Sequence, residues 1–175
     1  NGMFAFAIYD LRDKEIFIGR DRYGIKPIYF YSDTEQFIFA SELKGILCHP
    51  SVKPSISVDT IDLYLTMEYV PSPNTIFQEI NKLEKGHFLV YSNSKLKLVK
   101  WYDISFSPKL IYSDENDYIS KLDILIKNSV EKRTISDVPI GCFLSGGLDS
   151  SLVTYYLSEI STEKVKTFSI GFEDS

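Results

Sequence analysis

The sequence predicts an α+β unit followed by an α/β unit, and three observations support this fold class. Short apolar runs separated by tight polar turns fill residues 3–40, as in an antiparallel sheet. Apolar residues recur at helical spacing in residues 57–69 and 115–130. Residues 138–170 then read as a strand, a glycine-rich turn, a helix and a second strand, which is the order that opens a parallel sheet.

The first four strands of the α+β unit are expected at residues 3–9, 15–19, 28–31 and 37–40. The first of them is apolar throughout and is expected to be buried. Because the gaps between the strands are short, we expect one antiparallel meander. Ser41 is expected to cap a short helix that flanks this meander.

The rest of this unit is expected to contain a helix, a hairpin and a linker. Ser57 should cap the helix, which ends before Pro71, and the hairpin should pair residues 88–91 with 96–102. Residues 103–113 have no period and are interpreted as the linker. The charged segment at residues 20–27 is interpreted as a structural turn whose charges pair locally.

The segment 143–151, which reads FLSGGLDSS, predicts a site for a phosphate and a divalent cation. It lies between an apolar run expected to be a buried strand and a helix, so main-chain N–H groups and the positive end of the helix dipole converge there. Gly146 and Gly147 permit positive φ and close approach of a ligand. Asp149 would repel a phosphate unless a cation lies between them. Three hydroxyl donors stand beside them: Ser145, Ser150 and Ser151.

Two other interpretations of this segment are weaker. A Walker A loop is excluded, because the Gly-Lys-Ser/Thr ending is missing. An ordinary glycine turn with a serine helix cap accounts for one Ser and one Gly, but not for the whole string with its flanking strand and helix.

The composition excludes several classes of protein. A net charge of −5 does not favour binding to nucleic acid or to an anionic membrane surface. No apolar stretch approaches the roughly 20 residues that a membrane helix needs. Cys48 and Cys142 are too few for a disulfide framework, which favours a reducing, cytoplasmic location. Both are expected to be small core residues.

Several segments, taken in order, resemble the glutamine-hydrolysing asparagine synthetases. The segments are residues 2–10, 19–31, 40–44, 83–91, 136–153 and 168–175. Residues 64–80 make the long bacterial form the most similar. The loop alone resembles the pyrophosphate loop (PP-loop) of ATP pyrophosphatases in general, and it is the first half of the chain that indicates this particular family.

The resemblance implies a fold and domain boundaries. Residues 1–108 would be the carboxyl-terminal part of a glutaminase (type 2 amidotransferase) domain, with the amino-terminal-nucleophile fold and part of an αββα sandwich. Residues 109–175 would be the amino-terminal part of an ATP pyrophosphatase domain with a Rossmann-like parallel sheet. Both domains would be incomplete, so the chain is expected to be an internal fragment that is inactive by itself.

The resemblance also implies a reaction. Such enzymes are ligases that convert aspartate to asparagine with glutamine as nitrogen donor, through β-aspartyl-AMP, and release AMP and pyrophosphate. ATP and Mg²⁺ are the implied cofactors, and a homodimer is compatible with the family. Two alternatives stay open: a related amidotransferase that acts on another carboxylate, such as a β-lactam-forming synthetase, and a non-catalytic nucleotide-binding module.

The site residues implied by the resemblance all bind the nucleotide. Asp149 would hold Mg²⁺, and Leu144 and Ile170 would flank adenine. Six nucleotide-binding positions lie in the loop, and Asp149 is one of them: Ser145, Gly146, Gly147, Asp149, Ser150 and Ser151. No catalytic residue is expected, because position 1 is Asn1 and neither cysteine matches the family's amino-terminal nucleophile.

Overall fold

The structure is a computed structural model that describes residues 2–112 and 114–171. The chain divides into two compact units, Asn1–Phe106 and Ser107–Ser175. No helix within the described ranges is long and apolar enough to cross a membrane. Each unit has its own arrangement of strands and helices.

The described part of the first unit contains seven strands and two helices. In chain order these are β1 (Ala5–Asp10), β2 (Glu15–Arg20), β3 (Tyr29–Ser32), β4 (Phe37–Ala40), α1 (Leu43–Leu47), α2 (Val58–Met67), β5 (Ile80–Lys82), β6 (His87–Ser92) and β7 (Lys95–Lys100). The strands form two antiparallel sheets with the orders β1-β2-β6-β7 and β4-β3-β5. The unit is therefore a mixed α/β structure with antiparallel sheets.

The prediction of a single meander is wrong. The hairpins β1–β2 and β3–β4 form as expected, but β2 pairs with β6 and β3 pairs with β5, so the two hairpins lie in different sheets. The two hairpins lie in different sheets because their apolar residues are buried against each other. Ile18 of β2 and Leu89 of β6 form one core cluster with Phe30 of β3, which requires the two sheets to face each other.

A second core lies on the other face of the smaller sheet. Tyr29 and Tyr31 point away from the first core and pack, together with Ile80, against Ile46 of α1, which is fully buried. Successive residues of β3 thus serve opposite faces, as the twofold repeat of a strand requires. The sheet is buried on both sides because each side has a partner.

The expected burial of the first strand is also wrong. β1 is the edge strand of its sheet, and Ile8 and Tyr9 are each 56% exposed. An apolar run does not distinguish an edge strand from a central one, because that difference depends on which strands pair. Cys48, expected in the core, is exposed at the carboxyl end of α1.

The predicted helix caps have different outcomes. Ser57 caps α2 as expected, since its side chain accepts a hydrogen bond from the Thr60 N–H. Ser41 does not cap α1, because the helix starts at Leu43 and its cap position is Glu42. A capping side chain reaches the second or third N–H of a helix, and Ser41 lies one residue too early for that.

The charged turn between β2 and β3 is organised by two buried side chains that bind main-chain groups. Asp21 is 1% exposed and accepts four N–H bonds, from Phe4 (3.3 Å), Tyr23 (3.0 Å), Ile25 (3.0 Å) and Lys26 (2.9 Å). Burial raises the pKa of the Asp21 carboxyl, but these donors lower it further, so the pKa lies below its usual value. The structural interpretation of the turn is supported, whereas local pairing of these charges is not what is found.

Arg20 stabilises the same turn as a donor, whereas Asp21 acts as an acceptor. Its guanidinium donates to the carbonyls of Lys26 (2.9 Å), Gly24 (2.8 Å) and Leu83. Gly86 closes the turn, because its N–H donates to the Asp21 carbonyl at 2.9 Å and its φ is 63°. A side chain at Gly86 would lie 2.6 Å from the carbonyl oxygen of Tyr102, so only glycine fits.

The described part of the second unit contains α3 (Glu115–Glu131), β8 (Gly141–Phe143), α4 (Leu148–Ile160) and β9 (Lys166–Phe168). β8 and β9 pair in parallel, as predicted. β8 begins three residues later than expected, since Pro139 has no N–H to donate to a ladder. The predicted linker runs to Ser113, which lies outside the described residues, and residues 103–112 form no helix or strand.

The strands of the second unit are not buried, contrary to expectation. Phe143 is 77% exposed and Phe168 is 57% exposed. In the described residues this sheet has two strands, so each strand is an edge.

Helices α3 and α4 are joined by the Tyr156 hydroxyl of α4, which donates to the Asp123 carboxylate of α3. This bond raises the pKa of Tyr156 to about 12.

We expect Asp21→Asn to lower the free energy of unfolding by about 2–3 kcal/mol, because the amide nitrogen cannot accept the Phe4 and Lys26 bonds now made to Oδ2. The folded-state pKa of Asp21 is lowered, so its ionised form stabilises the fold above the unfolded-state pKa of about 3.9 and this contribution disappears as the pH falls through the folded-state pKa. Urea unfolding at several pH values should therefore show the difference between wild type and variant shrinking in acid.

Asp10→Asn is the matched control for this experiment. Asp10 is exposed and accepts two N–H bonds through Oδ1 alone, which asparagine preserves, so the change should stay within about 0.5 kcal/mol. Equal losses for the two variants, or a difference that does not shrink as the pH falls, would contradict the role given to Asp21.

Candidate functional site

The candidate site is the loop between β8 and α4, at the carboxyl end of the parallel strands. The ladder continues past β8, because the Leu144 N–H donates to the Phe168 carbonyl at 2.9 Å. The Ser169 hydroxyl also donates to the Leu144 carbonyl. The chain thus leaves the sheet edge at Ser145 and enters the helix at Leu148, and the intervening residues form a short exposed turn. Ligands of α/β sheets bind at this edge.

The two glycines of the loop have different roles. Gly146 has φ of 82°, and a side chain built on it would have no neighbour within 4 Å. Gly147 has φ of −78° and ψ of 162° and occupies the N-cap position of α4. Gly146 therefore uses the positive φ that glycine permits, whereas Gly147 does not. The loop is open at Gly146, where a ligand can approach the backbone.

The amino terminus of α4 presents main-chain donors to solvent. The first N–H groups of a helix have no partner within the helix. Gly147 has no side chain to cap them, and within the described residues no side chain takes that place. Together with the positive end of the helix dipole, these donors favour a bound anion. Asp149 lies in the same first turn and is exposed.

The three serine hydroxyls are directed into the loop rather than away from it. The Ser150 hydroxyl donates to the Gly147 carbonyl at 3.1 Å and accepts from the Ser145 N–H at 3.3 Å. The Ser151 hydroxyl donates to the same carbonyl at 2.8 Å. Ser145 Oγ lies 3.1 Å from Ser150 Oγ. The hydroxyls therefore hold the turn in shape, which leaves the main-chain N–H groups of this exposed, uncapped turn as the donors available to a ligand.

The structure brings six of the predicted site residues together in one loop and the first turn of its helix: Ser145, Gly146, Gly147, Asp149, Ser150 and Ser151. Leu144 directly precedes them and is half-buried. Ile170 lies two residues beyond the end of β9 and is 81% exposed. Both apolar residues follow their strands at the same sheet edge.

The donor set suits a phosphate bound together with a magnesium ion. Mg²⁺ is usually held by one or two carboxylates, with phosphate oxygens and water completing the shell. Asp149 supplies one such carboxylate beside the anion-binding N–H groups. Within the described ranges no cluster of three His, Cys, Asp or Glu side chains could hold a metal alone, so the phosphate would have to supply ligands.

One residue outside the predicted set contacts this segment, and a second residue contacts the first. Thr154 of α4 donates to the Ser150 carbonyl at 2.7 Å, and its Oγ1 lies 3.3 Å from the Cys142 sulfur of β8. The glycine-rich motif gave no sign of them, because both lie outside it. The four-residue spacing between Ser150 and Thr154, one helical turn, is the signal that could have found this contact.

An apolar cavity of about 520 Å³ lies beside the loop rather than over it. Its walls come from α3, β8 and α4, with Leu125, Val130 and Leu157 among them. The loop residues do not line it, so the main-chain donors of the candidate site open to solvent and not into this cavity.

Comparison with known proteins gives two family matches and a group of relatives. The model of the glutamine amidotransferase domain matches residues 1–102, and the model of asparagine synthase matches residues 121–175. The chain is 42% identical to the putative asparagine synthetase [glutamine-hydrolyzing] 2 of Methanocaldococcus jannaschii, over 99% of this chain and 34% of that protein.

Two further relatives agree with these matches. Asparagine synthetase [glutamine-hydrolyzing] 1 of Bacillus subtilis is 33% identical over 98% of this chain and 27% of its own length. The human asparagine synthetase [glutamine-hydrolyzing] is 32% identical over 100% of this chain and 31% of its own length. The chain thus spans about a third or less of the relatives that it matches, at 34%, 27% and 31% of their lengths.

We expect Gly146→Ala to lower the free energy of unfolding by about 1–2 kcal/mol, because φ of 82° is costly for any residue with a side chain. Gly147→Ala is the matched control, since its backbone angles suit any residue and its nearest new contact would be an ordinary 3.6 Å. Urea unfolding should place the control closer to wild type than Gly146→Ala, with only the cost of alanine at an N-cap position. Equal effects of the two substitutions would show that the turn does not need glycine at Gly146.

Proposed function

The chain belongs to the glutamine amidotransferase domain family, and from this premise we propose that it is part of a glutamine-hydrolysing asparagine synthetase. The proposed reaction converts aspartate to asparagine with glutamine as nitrogen donor and ATP as energy source, and releases AMP and pyrophosphate. Residues 1–108 are assigned to the glutaminase domain and residues 109–175 to the ATP-binding domain. The first would belong to an αββα sandwich, and the second to a Rossmann-like ATP pyrophosphatase sheet.

One observation carries this proposal: the amidotransferase match over residues 1–102 is followed in the same chain by a glycine-rich loop with an uncapped helix start, at the carboxyl edge of a parallel strand pair. Amidotransferase domains supply ammonia to a partner reaction, and a nucleotide-binding loop in the same chain indicates what drives that reaction. The asparagine synthase match over residues 121–175 covers this loop.

The loop residues would bind the phosphates of ATP. The main-chain N–H groups at Gly146 and in the first turn of α4 would stabilise negative charge, helped by the dipole of a 13-residue helix. Ser145, Ser150 and Ser151 would keep the turn in the shape that exposes those donors. When bound, Mg²⁺ supplies positive charge that offsets the charge on a departing pyrophosphate, and Asp149 is the residue proposed to hold it. Leu144 and Ile170 would contact adenine.

No nucleophile for glutamine hydrolysis is assigned to this chain. Cys48 is exposed at the end of α1, and the Cys142 sulfur lies 3.3 Å from the Thr154 hydroxyl oxygen. A cytoplasmic location and a homodimer belong to the same proposal. The location is supported by two unpaired cysteines, and the homodimer rests on the resemblance alone.

The nearest alternative is an amidotransferase that transfers ammonia to another carboxylate. The loop favours neither acceptor, because it binds the part of ATP that every such enzyme shares. A non-catalytic nucleotide-binding module is the second alternative. It is less well supported, since the first unit matches a family of glutamine amidotransferases along residues 1–102.

We expect Asp149→Asn to abolish ATP cleavage and to spare glutamine hydrolysis. With the carboxylate lost, the cation no longer offsets charge on the leaving group, so pyrophosphate release should fall about 100-fold or more. Ammonia release from glutamine belongs to the other unit and should persist. Both rates are measured on the protein made from the complete reading frame, with glutamine, aspartate and Mg-ATP present.

Asp117→Asn is the matched control, because Asp117 is also an acid in the first turn of a helix. If Asp149 acts only on the helix dipole, both variants should keep both activities and lose at most about 1 kcal/mol of stability. That result would refute the metal role. Replacing aspartate by other carboxylates in the same assay separates the asparagine reaction from its nearest alternative, and pyrophosphate release with none of them supports the non-catalytic module.

A further inference from the structure

We propose that Thr154 is a positioning residue for the nucleotide loop, an inference that rests on the proposed function of that loop. Thr154 lies one helical turn after Ser150 in α4 and would not touch the nucleotide. Its side chain ties the strand before the loop to the helix after it, and this tie sets the direction of the main-chain N–H groups that would bind phosphate.

The Thr154 hydroxyl makes two contacts, and their donors can be assigned. Oγ1 donates to the Ser150 carbonyl at 2.7 Å, which uses its one hydrogen. The Cys142 sulfur lies 3.3 Å from the same oxygen, so the thiol must be the donor in that contact. Cys142 is the central residue of the three-residue strand β8. Strand and helix are therefore joined through one hydroxyl.

The connection continues from Thr154 into the loop. Ser150, whose carbonyl Thr154 holds, binds the Ser145 N–H and the Gly147 carbonyl through its own hydroxyl. Ser145 and Ser150 lie at the two ends of the turn, and Gly147 lies between them at its corner. Any shift of α4 along β8 would move Ser150 and, with it, the residues on either side of Gly146. The open donors lie on this segment.

A simpler role for Thr154 is local to the helix. Threonine hydroxyls commonly donate to the carbonyl four residues earlier, with little effect beyond the helix. The two roles predict different results. A local bond affects only the stability of α4, whereas a tie to the strand affects the affinity of the folded protein for the nucleotide.

The test compares Mg-ATP binding by wild type, Thr154→Val and Thr154→Ser, measured by isothermal titration calorimetry on the protein from the complete reading frame. Temperatures are kept well below unfolding. Valine keeps the shape and removes the hydroxyl, so Kd should rise about fivefold to tenfold, because the main-chain donors would no longer be held in the direction that binds phosphate. Serine keeps the hydroxyl and should restore the wild-type Kd. KM for ATP should rise more than kcat falls.

Ser158→Ala is the matched control. Ser158 also donates to a carbonyl of α4, that of Tyr155 at 2.7 Å, but lies at the far end of the helix. Its removal should leave the Kd for Mg-ATP unchanged. Cys142→Ala provides a second variant that removes the strand side of the tie and keeps the Thr154–Ser150 bond. It should also raise Kd, and its effect should not add to that of Thr154→Val.

Each outcome decides between the two roles. A Thr154→Val protein that melts earlier but binds Mg-ATP as wild type does would show that the hydroxyl serves only the helix. If Thr154→Val does not fold, Cys142→Ala decides, and wild-type affinity in that variant overturns the proposal. Absence of binding by wild type itself would overturn the proposed function, and the positioning role with it. A wild type that binds while both variants bind equally well overturns the positioning role alone.

Discussion

The carboxylate of Asp21 holds together the turn that carries the chain from one sheet of the first unit to the other. Asp21 is 1% exposed, and its carboxylate accepts four main-chain N–H bonds. The main-chain carbonyl of Asp21 accepts two more, from the N–H groups of Gly24 and Gly86. A charge buried this deeply is stable only when such donors surround it. Ile18, Phe30 and Leu89 pack between the two sheets. The fixed shape of this turn keeps the sheets facing each other across these residues.

In the second unit, by contrast, the main feature is a set of main-chain N–H groups that stay exposed before and at the start of α4. The turn at Gly146 and the uncapped start of α4 expose N–H donors that a serine or aspartate cap would otherwise satisfy. The polar side chains of the loop bind one another and the backbone behind it. The cost of leaving donors without protein partners is small at an exposed helix end, and open donors of this kind favour a bound anion.

Most helices and strands could be predicted from the sequence, because apolar periodicity and turn residues are local signals. β5 was missed, since Ile80–Lys82 is too short to show alternation. The predicted strand pairing is wrong, because β2 pairs with β6 and not with β3. That choice depends on contacts between residues that are far apart in the chain. The exposure of β1 and β8 follows from their edge positions, which an apolar run does not reveal.

The loop residues of the candidate site lie together because they form one contiguous motif, and their binding roles stay predictions. What the motif could not show is how the hydroxyls are directed, since that depends on the φ of Gly146 and on the approach of α4 to β8. Thr154 was missed for the same reason: its contact with Cys142 exists only after strand and helix have packed. Sequence patterns identify the groups, and packing decides what each one binds.

The central claim is that an amidotransferase unit and an ATP-cleaving unit of one protein serve one reaction. The most direct test is to supply glutamine labelled with ¹⁵N in its side-chain amide, together with aspartate and Mg-ATP, to the protein from the complete reading frame. The account predicts that the label is recovered in the side-chain amide of asparagine, and only when ATP is present. Recovery of all the label as free ammonium, at a rate that ATP and aspartate do not change, would contradict it.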